Sequence, residues 1–210
     1  TAARADAGTT STAVNLAVAL AQADRSVVLI SADLREPNAH LLLGVGNERG
    51  LGQVLAGTLP LNEAIASTGI HQLQIVPPGP VSEIDEPVEL LQSAGMFEVI
   101  RRCRQADFVL IEGPALESVA DSLVLAGVVD GVVLVADAHH GTREDVALAR
   151  HHIEQVGGTV LGGVLNRARP EKSIGSTASR GHGLPGVDVA RDAGRDGDGT
   201  PRSASTEVRV

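Results

Sequence analysis

Five short runs rich in valine, isoleucine and leucine recur along the chain, separated by segments whose apolar residues have helical spacing. The runs are residues 27–30, 73–76, 108–111, 132–135 and 160–165. Their length and near-continuous apolarity are typical of strands buried on both faces of a parallel sheet. Strands that alternate with helices therefore predict an α/β fold, in which a mostly parallel sheet is covered by helices on both faces.

The first helical segment spans residues 10–23 and begins with threonine and serine, which favour helix starts. We expect Val14, Leu16 and Leu20 to be buried against the sheet. Residues 50–67 have the pattern of two short helices, because glycine and proline interrupt the segment between positions 57 and 60.

A longer helix is predicted over residues 87–105. It opens with Pro87, whose missing N–H costs nothing at a helix start. It closes with a basic cluster, which suits a helix C-terminus and is expected to be solvated. The cluster consists of Arg101, Arg102 and Arg104. A basic patch that docks a partner is the alternative interpretation.

Two further helix starts are predicted near the C-terminal half of the domain. Thr142 is followed three residues later by Asp145, which is a capping-box pattern at the start of a helix over residues 142–156. Asp121 is expected at a helix start as well, since aspartate is a preferred capping residue.

The composition changes after residue 167. From Ala168 onward glycine, serine, arginine, aspartate and proline dominate without periodicity. This predicts a domain of residues 1–167 followed by a disordered tail of residues 168–210. The chain opens with Thr1, not methionine, at what reads as the end of a strand. We therefore expect a first strand truncated at the N-terminus and a missing N-terminal portion.

The net charge of −9 over 210 residues is unevenly distributed. Residues 1–166 hold 9 of the 17 basic and 20 of the 26 acidic side chains, a net charge of −11. An acidic body does not suit a phosphate-backbone partner, so we expect no nucleic acid. The 43% hydrophobic content allows a sizeable core, which is expected to be aliphatic because the chain has two phenylalanines, no tyrosine and no tryptophan.

Cys103 is the single cysteine, which excludes an intramolecular disulfide and fits a reducing compartment. Its place in a predicted helix indicates a small, partly buried residue. The longest apolar region, residues 123–138, is split by Asp130 and Gly131. It therefore predicts a helix end followed by a strand, not a membrane span.

The stretch RADAGTTSTAVNLAVALAQ near the N-terminus has the pattern of a phosphate-binding loop that runs into a helix. In such a loop, backbone N–H groups surround phosphate oxygens, a lysine neutralises them and a hydroxyl binds Mg²⁺. Gly8 stands where the last glycine is expected, and Thr10 or Ser11 can supply the hydroxyl. Thr9 stands where the lysine is expected, and the one lysine of the chain, Lys172, lies in the tail.

This loop pattern alone also fits an ordinary helix start. Carboxylates farther along the chain favour a ligand site instead. Asp33 and Arg35 follow the run at 27–30, and Glu112 follows the run at 108–111. Side chains at the C-terminal ends of parallel strands point into the crevice where α/β sheets bind ligands. The sequence therefore predicts that a Mg²⁺-nucleotide would lie in this crevice.

Several ordered segments together resemble the cytoplasmic domain of the bacterial tyrosine kinases of capsule and exopolysaccharide synthesis, a branch of the deviant P-loop ATPases that includes MinD and ParA. The segments are AVNLAVALAQ with the preceding threonine-rich loop, VVLISADLREPNAH, GLGQVLAG, PPGPVSEIDEPVELLQS, ADFVLIEGPA, ADSLVLAGVVDGVVLVAD and GGVLNR. The resemblance runs from Thr1 to about Arg167, and the order and spacing of the segments are specific. It implies a P-loop NTPase-like three-layer sandwich that uses ATP or ADP with Mg²⁺.

The chemically important positions of this family pattern carry other residues here. Thr9 occupies the position of the loop lysine and Asp6 that of a glycine. Ser31 occupies the position of the first of two aspartates after the second strand. Glu112 replaces an aspartate, and Ala115 replaces the second of two prolines. The sequence thus retains the segments that define the fold but not most of the residues that carry its chemistry.

The resemblance also implies which residues would form a degenerate nucleotide site. The implied nucleotide-binding residues are Gly8, Thr9, Thr10, Ser11, Asp33, Arg35, Asn166 and Arg167. Asn166 matches the position that tends to contact adenine. The implied Mg²⁺ ligands are Thr10, Asp33 and Glu112, of which the two carboxylates are the vestige of the catalytic machinery. Loss of the lysine alone should weaken phosphate binding roughly 10- to 150-fold, so we expect weak binding of ATP or ADP with Mg²⁺.

These departures predict a pseudokinase that regulates or scaffolds surface polysaccharide synthesis and chain-length control. The family's flexible tail usually carries tyrosines that are autophosphorylated, and this sequence contains no tyrosine. The resemblance implies a cytoplasmic location at the inner face of the plasma membrane. The implied partner is a polysaccharide co-polymerase membrane protein or a fused membrane segment, and a homo-oligomer is a further option.

Two alternatives stay open at this point. In a working ATPase or kinase, Arg4 or Arg35 would substitute for the lysine, while Asp33 and Glu112 would bind Mg²⁺. A ParA-like or MinD-like positioning ATPase is disfavoured, because the PNAH and DEPVELL segments resemble the kinase branch.

Two pairs of adjacent histidines are more typical of a solvated surface than of a metal site. The pairs are His139 with His140 and His151 with His152. Neighbouring side chains on a helix point about 100° apart and do not readily share one ion. We therefore expect both pairs at the surface.

Overall fold

The computed structural model describes residues 1–80, 87–116 and 121–168. The chain divides into two units, Thr1–Pro170 and Glu171–Val210, and the second unit lies outside the described residues together with nearly all of the predicted tail. The strands are β1 (Val27–Ser31), β2 (Ala66–Ser67), β3 (Leu73–Val76), β4 (Phe108–Glu112), β5 (Val132–Asp137) and β6 (Val160–Asn166). The helices are α1 (Thr9–Gln22), α2 (Ala39–Leu42), α3 (Leu51–Leu55), α4 (Leu61–Ala64), α5 (Pro87–Gln92), α6 (Ala94–Cys103), α7 (Asp121–Ala126) and α8 (Arg143–Gln155).

The strands form a mostly parallel α/β arrangement, as the sequence predicts. One sheet has the order β2-β3-β1-β4, and β5 pairs with β6 in a second. β1 is parallel to β3 and β4, and β5 is parallel to β6. The two-residue strand β2 is antiparallel to β3, because Ala66 and Ser67 pair with Ile75 and Gln74. The prediction of a helix through residue 67 is therefore wrong at its end.

The first two residues connect the end of β4 with β5. Ala2 forms a parallel bridge with Val135 of β5. Thr1 donates its hydroxyl hydrogen to the carbonyl of Pro114 at 2.6 Å, and the N–H of Leu116 donates to the carbonyl of Ala2 at 2.9 Å. These contacts place the start of the loop before α1 between the carboxyl ends of β4 and β5.

The two faces of β1 pack against different helices. Val28 and Ile30 belong to a core cluster that includes residues of α3, α5 and α6. Val27 and Leu29 belong to a second cluster with Val14 of α1. All five residues of β1 are buried, which confirms the prediction of helices on both sides of this strand.

Two predictions about helices are wrong in detail. Residues 87–105 form two helices, α5 and α6, because Ser93 adopts an extended conformation with ψ of 155° between them. On α1, Val14 is buried, whereas Leu16 is 40% exposed and lies outside the core clusters. The four-residue helix α2 has no counterpart in the prediction.

Strand β6 is not buried on both faces, in contrast to the prediction. Leu161 and Leu165 are 69% and 62% exposed, although Val160 packs against the cluster of α7, α8 and β5. β6 pairs with β5 along one edge, and its sequence, VLGGVLN, contains no charge. Among the described residues it is the most exposed apolar strand.

Helix α8 begins as predicted. The amide of Asp145 donates to the hydroxyl oxygen of Thr142 at 3.1 Å, and the Asp145 carboxylate accepts the Thr142 amide at 3.0 Å. This reciprocal pair is the capping box that the sequence indicates. None of the helices within residues 1–80, 87–116 and 121–168 combines the length and apolarity that a membrane span requires.

Candidate functional site

Two residues of the loop before α1 have positive φ angles. Gly8 precedes α1 with φ of 86°, and Asp6 has φ of 57°. Glycine adopts this left-handed region without strain, and aspartate tolerates it better than most residues. A Cβ atom at Gly8 would collide with the side-chain amide of Asn166. The left-handed conformation therefore favours glycine at position 8, and a larger residue there would also displace the Asn166 side chain.

The N-terminus of α1 carries no acidic residue in its first turn and no side-chain cap. Thr9, Thr10 and Ser11 lie in this first turn, where backbone N–H groups and the helix dipole favour an anion. Thr12 donates its hydroxyl hydrogen back to the carbonyl of Gly8 at 2.8 Å. The turn thus has the local geometry of a phosphate site but no side-chain cation of its own.

A buried carboxylate joins the hydroxyls of two candidate residues. Thr10 Oγ1 donates to Glu112 Oε1 at 2.8 Å, and Ser31 Oγ donates to Glu112 Oε2 at 3.0 Å. Glu112 is 2% exposed. Burial raises the pKa of the Glu112 carboxyl, the nearby charge of Asp33 raises it further, and the two hydroxyl hydrogen bonds offset this rise only in part.

Asp33 shapes the turn that follows β1. Its Oδ1 accepts the backbone amides of Arg35 at 3.1 Å and Glu36 at 3.0 Å. Aspartate often makes such local bonds in turns. The side chain is half-buried, and Ser31, two positions before Asp33, pairs with Glu112 in the sheet, so the structure brings these two predicted carboxylates to the same edge.

The arginines predicted as substitutes for the lysine are both held by carboxylates. Arg35 Nε lies 3.0 Å from Oδ2 of Asp121, which is completely buried at the start of α7. Arg4 Nη1 lies 3.5 Å from Oδ2 of Asp145 in the first turn of α8. These ion pairs direct both guanidinium groups toward α7 and α8.

Asn166 and Arg167 bind the loop from the end of β6. Asn166 Nδ2 donates to the carbonyl of Ala7 at 2.9 Å. Arg167 Nη1 donates to the carbonyl of Asp6 at 2.9 Å and to Oδ2 of Asp137 at 2.5 Å. Both residues are predicted to bind a nucleotide, and in the structure both contact the loop backbone.

Asp137 is the residue of this region that sequence reasoning missed. It ends β5, is 5% exposed and accepts the backbone amide of His139 at 2.7 Å. This bond, followed by those from His140 and Arg167, lowers the pKa of the Asp137 carboxyl. An aspartate at the carboxyl end of a predicted strand was the available signal, the same that identified Asp33.

The other predicted polar clusters are at the surface. His139, His140 and His151 are exposed, His152 is half-buried, and no group of three or more metal-ligating residues occurs in the part of the chain that the structure describes. Glu98 accepts hydrogen bonds from Arg101 and Arg102 at 2.7 Å.

Cys103 is buried, which raises the pKa of its thiol.

Comparison with known proteins decides the family. No model of a known protein family matches the chain. The tyrosine-protein kinase YwqD of Bacillus subtilis is 33% identical over 166 residues, which cover 79% of this chain and 69% of YwqD. This chain belongs to the bacterial tyrosine-protein kinase family.

Solved structures of family members and of a wider group share the fold. The kinase domain of the Escherichia coli tyrosine kinase ETK superposes with a TM-score of 0.78 at 32% identity, covering 88% of this chain and 71% of that domain. The septum site-determining protein MinD of Pyrococcus horikoshii, solved with Mg-ADP, gives a TM-score of 0.66 at 28% identity, covering 77% and 66%. The P-loop NTPase-like fold class is therefore confirmed for this tyrosine-kinase family member.

Proposed function

We propose that this tyrosine-kinase family member has lost phosphoryl transfer and acts as a regulatory or scaffolding module in capsular or exopolysaccharide synthesis and its chain-length control. The observation that supports the proposal is that the arginines near the loop are engaged in ion pairs. Arg4, Arg35 and Arg167 are each paired with a carboxylate, and Thr9 takes the lysine position.

Phosphoryl transfer depends on charge compensation and positioning, so a loop without a cation lacks its main requirement. A hydrogen bond to a charged group contributes about 1.5–3 kcal/mol, which is roughly 10- to 150-fold in affinity. The exposed Asp6 places a negative charge on the loop as well. The phosphates of a nucleotide would thus meet Asp6, Asp33 and Glu112 without a matching lysine.

The residues expected to hold Mg²⁺ suit a hard cation in type but are already engaged with the protein. Both oxygens of Glu112 accept hydroxyl hydrogens, and Oδ1 of Asp33 accepts two backbone amides. Ser31 offers a hydroxyl where a second carboxylate would add charge. We infer that Mg²⁺-ATP is not a good fit, and ascribe no catalytic step to it.

A second candidate is a working ATPase or kinase. It is favoured by the left-handed conformation of Asp6 and Gly8, and by the hydrogen bond from Thr10 to Glu112, which leaves a hydroxyl and a carboxylate side by side at the loop. In that case Asp33 and Glu112 would bind Mg²⁺ and one arginine would have to leave its carboxylate.

The proposed setting follows from the family. The module would lie at the cytoplasmic face of the plasma membrane, with a polysaccharide co-polymerase or a fused membrane segment as its partner and a homo-oligomer as a further option. It would not be its own tyrosine substrate, since the 210 residues contain no tyrosine.

The test is titration calorimetry of the purified chain with ADP and ATP, with and without Mg²⁺, together with an ATPase assay. The proposal expects flat or weak titrations and no hydrolysis above that of buffer. Tight Mg²⁺-dependent binding with hydrolysis that is abolished by Asp33→Ala would establish the second candidate instead.

A further inference from the structure

Two successive carbonyl groups of the loop are held by two successive residues at the end of β6. The carbonyl oxygens of Asp6 and Ala7 accept hydrogens from Arg167 and Asn166, both at 2.9 Å. The contacts span about 160 positions of sequence, so they are formed by the fold and not by local turns. Asn166 also packs closely on Gly8, so that a Cβ there would push its side-chain amide aside.

These contacts fix the orientation of two peptide planes. In a trans peptide the C=O and the following N–H point in opposite directions. Holding the carbonyls of Asp6 and Ala7 toward β6 therefore turns the N–H groups of Ala7 and Gly8 away from β6. Successive amides turned to one side form the concave nest that binds anions.

Asp6 makes such support necessary. It has φ of 57°, a region that glycine occupies without strain and that other residues enter at a cost. Without external contacts an aspartate would populate ordinary backbone conformations and rotate the peptide that follows it. The hydrogen bond from Arg167 to the Asp6 carbonyl opposes that rotation.

Arg167 is itself held in place. Its Nη1 contacts Oδ2 of Asp137 at 2.5 Å, and Asp137 is 5% exposed. His140 Nδ1 also lies 3.2 Å from this carboxylate oxygen, and the amide of His139 donates to the other oxygen. A guanidinium anchored to a buried carboxylate presents a fixed donor to the loop.

We propose that Asn166 and Arg167 are positioning residues that clamp the Asp6 and Ala7 carbonyls, and thereby keep the loop in its anion-binding shape although aspartate stands at a glycine position. This inference does not rest on the proposed function, because it concerns the shape of the loop backbone whether or not a nucleotide binds. It assigns the two residues to the loop backbone and not to a bound base.

The experiment measures backbone N–H order parameters by NMR on the full chain without nucleotide. We expect values of about 0.85 for Ala7 and Gly8 in the wild type and below about 0.6 in Arg167→Ala and in Asn166→Ala. Arg167→Lys, which can still reach Asp137, should restore most of the order. Arg150→Ala, which breaks an exposed pair with Glu154 on α8, is the matched control and should change nothing in the loop.

Amides of β5 should keep their values in all variants, which excludes unfolding as the cause.

Unchanged order parameters at Ala7 and Gly8 in both single alanine variants would overturn the proposal. This outcome does not depend on nucleotide affinity, so this proposal and the proposed function can fail independently.

Discussion

The Nε atom of Arg35 lies 3.0 Å from Oδ2 of Asp121, and this ion pair ties the turn after β1 to the start of α7. Asp121 is completely buried, whereas the Arg35 side chain is 42% exposed. The two residues are 86 positions apart in the sequence. The pair therefore fixes one wall of the candidate site from outside the loop.

Replacing Arg35 with alanine should destabilise the domain, because it leaves a buried carboxylate without its partner. We expect a loss of about 2 kcal/mol in the free energy of unfolding, which is less than for a fully buried ion pair because Arg35 is partly exposed. Urea denaturation at neutral pH measures it. Arg49→Ala, whose partner Glu63 is exposed, is the control and should cost no more than about 0.5 kcal/mol. Equal losses in the two variants would contradict the structural role of the Arg35–Asp121 pair.

Replacing Thr9 with lysine should restore phosphate affinity, because position 9 begins α1 directly after Gly8. A charged hydrogen bond there corresponds to roughly 10- to 150-fold tighter binding of Mg²⁺-ADP. Calorimetry on Thr9→Lys and on the Asp6→Gly, Thr9→Lys double variant measures the gain. Asn15→Lys adds the same charge farther along α1 and serves as the control. No gain in either loop variant would show that the loop shape, and not the cation alone, has been lost.

Glu112 should make stability depend on pH in a defined direction. Because its pKa is raised in the folded state, the protonated form is favoured by folding. Its stabilising contribution is fully present below the ordinary pKa of a glutamate and is lost as the pH rises through the raised value. Glu112→Gln removes this titration, so the free energy of unfolding of the variant relative to the wild type should increase from acidic to neutral pH.

Urea denaturation of both proteins across that pH range tests this expectation. The difference between the two proteins is the relevant quantity, because Asp137 and Asp145 have lowered pKa values and titrate in the opposite sense in both. A constant difference at all pH values would mean that Glu112 has an ordinary pKa.

Two helix starts offer a matched comparison of caps. Thr142→Ala should cost about 1 kcal/mol, because it removes the side-chain bond to the Asp145 amide at the start of α8. Ser93 precedes α6 in the same position, but its buried Oγ has no hydrogen-bond partner among the described residues. Ser93→Ala should therefore be neutral or slightly stabilising. Thermal or urea unfolding measures both variants, and the reverse order of effects would be inconsistent with the capping geometry.

The strands were predictable because each is a run of valine, isoleucine and leucine that a parallel sheet requires. The break at Ser93 was not predicted, because residues 87–105 keep a helical pattern through Ser93, whose extended conformation separates α5 from α6. The pattern also did not predict that Leu16 and β6 are exposed, since periodicity identifies an apolar face but not what covers it.

The sequence predicted which residues lie in the candidate site better than it predicted their contacts with one another. The position of Glu112 beside Thr10 follows from a strand end that faces a loop, as the sequence indicated. The pairing of Arg35 with Asp121 and the anchoring of Arg167 by Asp137 depend on contacts between residues 86 and 30 positions apart. Such partners are selected by tertiary packing and leave no local signal in the sequence.

The exposure of β6 has a consequence for the behaviour of the protein in solution. An uncharged strand with exposed leucines lies at an edge of a body whose residues 1–166 carry a net charge of −11. Repulsion between these acidic bodies keeps the edges of two molecules apart, and it weakens as the Debye length falls from about 30 Å at 0.01 M salt to about 8 Å at physiological ionic strength. Added salt should therefore promote clustering of this protein, whereas proteins that associate through ion pairs are dispersed by it.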